Sequence, residues 1–356
     1  MDSQHIFYME RCLRLAAMGT GNVAPNPMVG CVIVAGGRIV GEGFHACYGG
    51  PHAEVRAIES VKDKSCLQES TIYVSLEPCS HFGKTPPCAD LIIKHGIKNV
   101  VIGATDPNPK VDGGGIRKLK DAGCNVISGI LKEECRRLNI RFYTYHEKKR
   151  PYILLKWAQS ADGYIGHLPQ EGKPYIPTRI SGPAGLRLVH KWRSEEQAIM
   201  VGTRTAILDN PSLTVREWKG INPLRIVFDR KLHLPLSLNI FDGTAPVWVV
   251  TESLETPAKE ILPPEKIKYI HVTPGADFWD VLLENLYREN IISVMVEGGA
   301  DTISKLICRG LWDEARFFAA DKCIGQGINA PKIGIMPESI VKTSYGNIFV
   351  CFNKNE

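Results

Sequence analysis

Short apolar runs alternate with amphipathic stretches along most of this chain, and that alternation limits its possible folds more than any other property. Strand-like runs fall at 28–34 and 38–43, paired around the turn Gly36-Gly37. A helical pattern at 52–61 follows, then strand 71–76, helix 88–95, strand 98–103, helix 115–122 and strand 124–129. Such an order predicts an α/β fold with a largely parallel sheet covered by helices. Residues 145–151 (YHEKKRP) are polar and basic and stand out as a linker. Beyond them strands are expected at 152–158, 197–201, 224–229, 247–250, 267–271 and, last, 292–297. Helices are expected at 182–191, 276–289 and 301–309.

At 356 residues the chain exceeds one ordinary core and suits two domains, taken here as 1–146 and 151–356. An apolar share of 44% and a charged share of 23% describe a globular protein. The net charge of +5 contains no Lys/Arg block, so nucleic acid is not an expected partner. Eleven scattered cysteines in a chain of this length favour reduced thiols over a disulfide framework. The opening residues read as an amphipathic helix, not an export signal, and no apolar run has the length of a membrane span. These features lead us to expect a cytoplasmic protein with no membrane partner.

Chemistry concentrates in residues 52–88: His52-Ala-Glu54, then Pro78-Cys79, then Pro87-Cys88. One imidazole and two thiolates can hold Zn²⁺ and leave a fourth position for water, which the metal makes acidic near neutral pH. Glu54, two residues past His52, is placed to carry a proton from that water to a leaving amine. His-x-Glu followed by a Pro-Cys pair is the pattern of zinc nucleobase deaminases, although eight residues (SHFGKTPP) separate the cysteines here instead of two. A purely structural zinc is the alternative. It would need a fourth ligand, which His81 or Cys47 can supply, and would leave Glu54 without a task.

Several strings together resemble the bifunctional deaminase–reductase family of riboflavin biosynthesis. They are Ala24-Pro-Asn-Pro-Met-Val-Gly30, Gly50-Pro-His-Ala-Glu54, Leu76 through Cys88 and Asp106-Pro-Asn-Pro109 in the first half. In the second half they are Leu155 through Gly163, Asp209 through Arg216 and Val296-Glu-Gly-Gly299. The resemblance implies a cytidine-deaminase-like three-layer αβα domain and a dihydrofolate-reductase-like α/β domain. The first would hydrolyse the ring 2-amino group of 2,5-diamino-6-(5-phosphoribosylamino)pyrimidin-4-one; the second would use NADPH to reduce the ribosyl group to ribityl. A small phosphoribosyl pyrimidine is then the substrate, and a homo-oligomer (dimer or tetramer) is the expected assembly.

Carried over by position, His52, Cys79 and Cys88 would be zinc ligands and Glu54 the proton shuttle. Asn26, His45, Lys84, Asp106 and Asn108 would meet substrate in the deaminase. For His45, Lys84 and His81 a solvated loop side chain is the competing reading, and for Asp106 and Asn108 it is turn chemistry. In the reductase, Lys156 would be catalytic, or else an ordinary strand-end lysine. Arg193, Leu213, Arg216 and Glu297 would bind substrate, the two arginines gripping its phosphate. Gln159, Arg179, Thr205, Asp209, Arg230, Gly299, Ala300 and Asp301 would contact the cofactor. There is no G-x-G-x-x-G; Gly298-Gly299 between a strand and a helix is a signal that is weak by itself, whose backbone amides can bind a cofactor pyrophosphate. Two departures bear on NADPH. Pro177-Thr-Arg-Ile-Ser181 puts Arg179 where the family commonly has a stacking Trp. Asp229-Arg230 places a cation where a small residue is usual, and that cation can pair with the 2′-phosphate. A nucleoside or tRNA deaminase with an inert second domain, and a non-enzymatic zinc module, are the competing functions.

Overall fold

The computed structural model describes residues 3–80, 82, 86–109, 111, 113–254, 263, 265–275 and 277–354. The chain divides into two compact units, Met1–Lys149 and Arg150–Glu356.

The first unit runs α1 (Ser3–Ala17), β1 (Gly30–Ala35), β2 (Arg38–Phe44), α2 (Ala53–Ser60), β3 (Thr71–Leu76), α3 (Cys88–Lys94), β4 (Asn99–Ala104), α4 (Gly114–Asp121), β5 (Asn125–Ser128), α5 (Lys132–Leu138) and α6 (Ile140–Lys148). Its five strands lie in the order β2-β1-β3-β4-β5. The sheet is mixed, contrary to the expectation of a largely parallel one. β3-β4-β5 are parallel, but β1 is antiparallel to both its neighbours. The Gly36-Gly37 hairpin sends β2 to the edge, and the α2 crossover then passes over β1 to β3. Strand alternation makes the layers: Cys31, Ile33, Ile72 and Val74 pack under α2, α3 and α4, while Val32, Val34 and Tyr73 pack under α1. The expected linker at 145–151 is largely helix, since α6 continues to Lys148. Tyr145 at 7% exposure is part of its buried face.

The second unit runs β6 (Tyr152–Gln159), β7 (Tyr164–Gly166), α7 (Gly182–Glu195), β8 (Ala198–Val201), α8 (Thr203–Asp209), β9 (Leu224–Phe228), β10 (Val247–Thr251), β11 (Ile267–His271), α9 (Phe278–Arg288), β12 (Ser293–Glu297), α10 (Ala300–Cys308), β13 (Glu314–Ala319), β14 (Ile328–Asn329), β15 (Ser339–Thr343) and β16 (Gly346–Phe352). Strands do not end at 297. A nine-stranded sheet has the order β11-β10-β9-β8-β12-β6-β13-β16-β15, with β16 antiparallel to β13 and β15 and the remaining pairs parallel. Leu154, Met295 and Ile199 face α7; Leu155, Val296 and Met200 face α9 and α10. Among the described residues no helix is long and apolar enough to cross a membrane.

Candidate active sites

In the first unit, neighbouring parallel strands β3 and β4 end side by side, where Glu77 N–H donates to the Ala104 carbonyl at 2.9 Å. Ligand sites of open α/β sheets form at such carboxyl ends. Cys79 leaves one strand end, and Asp106 and Asn108 leave the other. His52 holds the position before α2, yet its ring makes no capping bond and stays available. Its Nδ1 lies 3.2 Å from Cys88 Sγ and 3.7 Å from Cys79 Sγ. All three ligand atoms fall within 4.8 Å of one another. Tetrahedral zinc with ordinary Zn–N and Zn–S bonds requires N···S separations of about 3.6 Å, so the donor set fits that ion. Among the described residues Cys47 is not part of the cluster; His81 and Lys84 lie outside the described residues.

The Cys88 N–H, at the start of α3, donates to Cys79 Sγ at 3.3 Å. The Cys79 thiol is drawn down to about 4 by the hydrogen bond with Cys88, against burial and with further help from His52. Cys88 is pushed up, first by the same shared hydrogen bond and then by burial. Of the two, Cys79 is the thiol held toward the thiolate form, and metal binding requires both cysteines deprotonated. Glu54, 3% exposed, lies within hydrogen-bonding reach of Cys88. Burial pushes its carboxyl up to about 7, with Cys79 adding to the push.

A cavity of about 300 Å³ opens over this cluster, and Asn26, His45, His52, Glu54, Cys79, Asp106 and Asn108 all line it. His45 donates from Nδ1 to the Pro51 carbonyl at 3.1 Å, so its Nε2 accepts from Asn26 Nδ2 at 3.1 Å. This tautomer is neutral, in accord with the lowering of its pKa by burial. Asp106 is raised to about 7, chiefly by burial, and accepts from Asn108 N–H at 2.8 Å, so turn chemistry and cavity lining coexist there.

Sequence reading passed over Glu77, Tyr48, Val111 and Phe142, which also line the cavity. Glu77 accepts from the N–H groups of Asp106, Gly113, Gly115 and Ile116, at 3.3, 3.3, 3.0 and 3.1 Å. One buried carboxylate thus fixes both the Asp106 loop and the start of α4. Its place beside Cys79 in the Leu76–Cys88 string was the available signal.

In the second unit, β8, β12 and β6 are adjacent and parallel, and Glu297 is in register with Lys156. Lys156 Nζ lies 3.2 Å from Glu297 Oε1. Arg193, from α7, donates Nε and one terminal nitrogen to the same carboxylate, both at 2.9 Å, and its other terminal nitrogen to the Thr214 carbonyl at 3.0 Å. Its side chain is 8% exposed. Each nitrogen of the Arg193 guanidinium thus makes one bond inside the unit, so the phosphate grip expected of it would fall to the second N–H of each terminal nitrogen. Arg216 is exposed, steadied by a 2.8 Å bond to Thr214 Oγ1, and presents a guanidinium for the same role. Burial pushes Glu297 up, but Arg193 and Lys156 outweigh it and hold the carboxyl at about 2. Asp209 is raised by desolvation and by Glu297, against the pull of Lys156, which brings it into the same cluster. Leu213 is buried at a positive φ of 56° just before Thr214.

Gly298 and Gly299 have φ of 81° and 71°. That conformation suits glycine and turns the backbone into the start of α10. Cβ atoms there would stand 3.5 and 2.9 Å from the Thr205 side chain. An open, side-chain-free backbone at a helix start fits a cofactor phosphate. Ala300 opens the helix, whereas the Asp301 side chain turns to Lys305 at 2.7 Å. Gln159 accepts from Trp157 Nε1 at 2.8 Å, Arg179 is exposed, and Arg230 is paired with Glu252. That pairing gives the proposed 2′-phosphate cation an internal counter-charge which sequence could not show.

Residues 151–335 match the family model of the RibD C-terminal domain, and residues 2–104 match that of the cytidine and deoxycytidylate deaminase zinc-binding region. The riboflavin biosynthesis protein RibD of Aquifex aeolicus is 40% identical over 330 residues, 92% of this chain and 90% of the relative. Its counterpart in Escherichia coli is 35% identical, over 90% of this chain and 89% of that one. Among solved structures, the diaminohydroxyphosphoribosylaminopyrimidine deaminase/5-amino-6-(5-phosphoribosylamino)uracil reductase of Thermotoga maritima matches with a TM-score of 0.84 at 37% identity, covering 98% of this chain and 99% of that one. Acinetobacter baumannii RibD matches with a TM-score of 0.87 at 31% identity, covering 99% of each chain.

Proposed function

This chain belongs to the RibD family, bifunctional zinc deaminases and NADPH-dependent reductases of riboflavin biosynthesis, and we propose that each half carries one of two consecutive reactions. Residues 1–146 convert 2,5-diamino-6-(5-phosphoribosylamino)pyrimidin-4-one to 5-amino-6-(5-phosphoribosylamino)uracil and ammonia. Residues 151–356 reduce the ribosyl group of that product to ribityl phosphate. The observation that supports this best is the convergence of His52, Cys79 and Cys88 beside buried Glu54 beneath one cavity.

Zinc, when bound, is the Lewis acid that makes a water reactive at neutral pH. Glu54 takes the proton of the attacking water and passes it to the amine nitrogen, which departs as ammonia. Asn26 and His45, locked to each other, present a fixed donor–acceptor edge to the pyrimidine. Asp106 and Asn108 bind substrate at the strand end, and Lys84 adds a cation for its phosphate. In the reductase NADPH supplies hydride. Lys156 holds a proton at Nζ for the opened ribose oxygen, with Glu297 fixing the ammonium and facing the sugar hydroxyls. Arg216 and Leu213 receive the phosphate end, and Arg193 supports both Glu297 and the Thr214 segment. Thr205, Asp209, Gly299 and Ala300 line the cofactor path, with Gln159, Arg179, Arg230 and Asp301 at its margin. We place the protein in the cytoplasm as a homo-oligomer. Free cysteines throughout the described residues support the first point, and family resemblance supports the second.

The test is a coupled assay on purified protein, supplying the diaminopyrimidine ribosyl phosphate with NADPH and following ammonia and 340 nm absorbance. About one ammonia and one NADPH per turnover are expected. Ammonia without NADPH loss would remove the reductase assignment and keep the deaminase.

A further inference from the structure

Asn139 stands between α5 and α6, where asparagine would ordinarily cap the helix that follows. It makes no side-chain capping bond. The residue is instead buried, 3% exposed, and its amide turns to Met28 in the loop before β1. Met28 N–H donates to Asn139 Oδ1 at 2.8 Å. Asn139 Nδ2 donates to the Met28 carbonyl at 2.9 Å. One side chain thus satisfies both backbone groups of a single residue, as an adjacent strand would.

The contacts on either side of this clamp lead into the cavity. Toward the chain start, Asn26 precedes Met28 by two residues and donates to His45 Nε2. His45 N–H is held by the Val29 carbonyl at 2.9 Å, and its ring is held by Pro51, the residue before His52. Toward the chain end, Tyr143 N–H donates to the Asn139 carbonyl at 3.0 Å. The Tyr143 hydroxyl reaches the Thr105 carbonyl at 2.5 Å, immediately before Asp106, and neighbouring Phe142 lines the cavity wall. Residue 139 lies beyond the stretch 2–104 matched to the zinc-binding region.

We infer that Asn139 is a positioning residue of the deaminase: its amide clamp on Met28 sets the segment that aims Asn26 and His45 at the pyrimidine. The inference rests on the reading of Asn26 as a base contact. A residue that only filled space would change stability and would not act through Asn26.

The experiment compares N26A, N139A, N139D and the double variant N26A/N139A in the full chain. Deaminase kcat and KM are measured on the diaminopyrimidine ribosyl phosphate, reduction on supplied deaminated intermediate, and zinc by metal analysis. N139A is expected to raise deaminase KM ~10-fold through loss of two buried hydrogen bonds, with kcat changed by less than about threefold. Zinc content and the reductase reaction should be unchanged. In the N26A background the further effect of N139A should largely vanish, since the two act in series. N139D also raises KM, because it keeps the acceptor and loses the donor, and it supplies the reading where N139A folds poorly. Wild-type KM in both Asn139 variants, or a full effect of N139A on top of N26A, overturns the inference. So does loss of zinc and folded structure in both variants, which would make Asn139 merely structural. N26A without any effect on deamination is a separate outcome: it removes the base-contact reading itself.

Discussion

Glu54 is a buried carboxyl and Glu297 a largely buried one, yet their surroundings move them in opposite directions, and that difference makes each testable. Burial, with Cys79 adding to it, raises Glu54 to about 7 and outweighs the lowering by His52. E54Q keeps the shape and loses the proton acceptor, so zinc should be retained while deamination falls about 10²- to 10⁴-fold; a variant that still releases ammonia at the wild-type rate would assign the shuttle elsewhere. Glu297 is raised by burial but lowered further by Arg193 and Lys156, to about 2 from an ordinary 4.5. A carboxylate depressed in the folded chain stabilises fully above its unfolded pKa and loses that contribution as pH falls through the folded one. The stability gap between wild type and E297Q should therefore be widest above pH 4.5 and close toward pH 2. Urea midpoints measured across that range check it, and a gap independent of pH would contradict the ion-pair account. The His52–Cys79–Cys88 cluster was legible in sequence because few residue types bind zinc and their spacing is restrictive. Glu77 and Asn139 were not, because their partners are backbone amides 29 to 39 and 111 residues away. The commitment of Arg193 to Glu297 was hidden for a related reason: an arginine's accessibility depends on tertiary burial, which its neighbours in sequence do not reveal.

Most strands buried along their length up to residue 297 were read correctly in kind, whereas β13, β16 and α6, which also bury a face, were missed. β1, β3, β4, β6, β8, β9, β10 and β12 are buried for most of their length. β15, in contrast, is exposed at every position and forms the edge of its sheet, so no burial pattern marked it. The direction of β1 was also beyond local reading, because it depends on which side of the hairpin the α2 crossover takes. How tightly α2 lies on that hairpin can be tested at Gly43 in β2. A Cβ there would come within 2.4 Å of the Ala53 carbonyl oxygen and the Ala57 nitrogen. G43A must push α2 outward, an overpacking that costs about 1–3 kcal/mol. That helix carries Glu54 and follows His52, so G43A should lower zinc retention and deamination together. Reduction measured on the same preparation serves as the control. Unchanged zinc content in G43A would mean that the metal site tolerates movement of α2.

At the scale of the whole molecule, the described groups of each site come from one unit. The zinc cluster and its cavity draw on Met1–Lys149, and the Lys156–Glu297–Arg193 cluster draws on Arg150–Glu356. C79S should therefore abolish deamination while leaving reduction of supplied intermediate largely intact; loss of both activities in a folded protein would show that the halves depend on each other. Removal of zinc with a chelator should divide the activities in the same way. This segregation also has a genetic meaning. Two alleles, one carrying C79S and the other K156M, are each expected to lack a different half-reaction, and a cell expressing both would then hold a complete set of sites on separate chains. Such a cell should grow without added riboflavin although neither allele alone supports growth. Failure of the pair to complement would mean that the deaminated intermediate cannot leave one chain and be used by another.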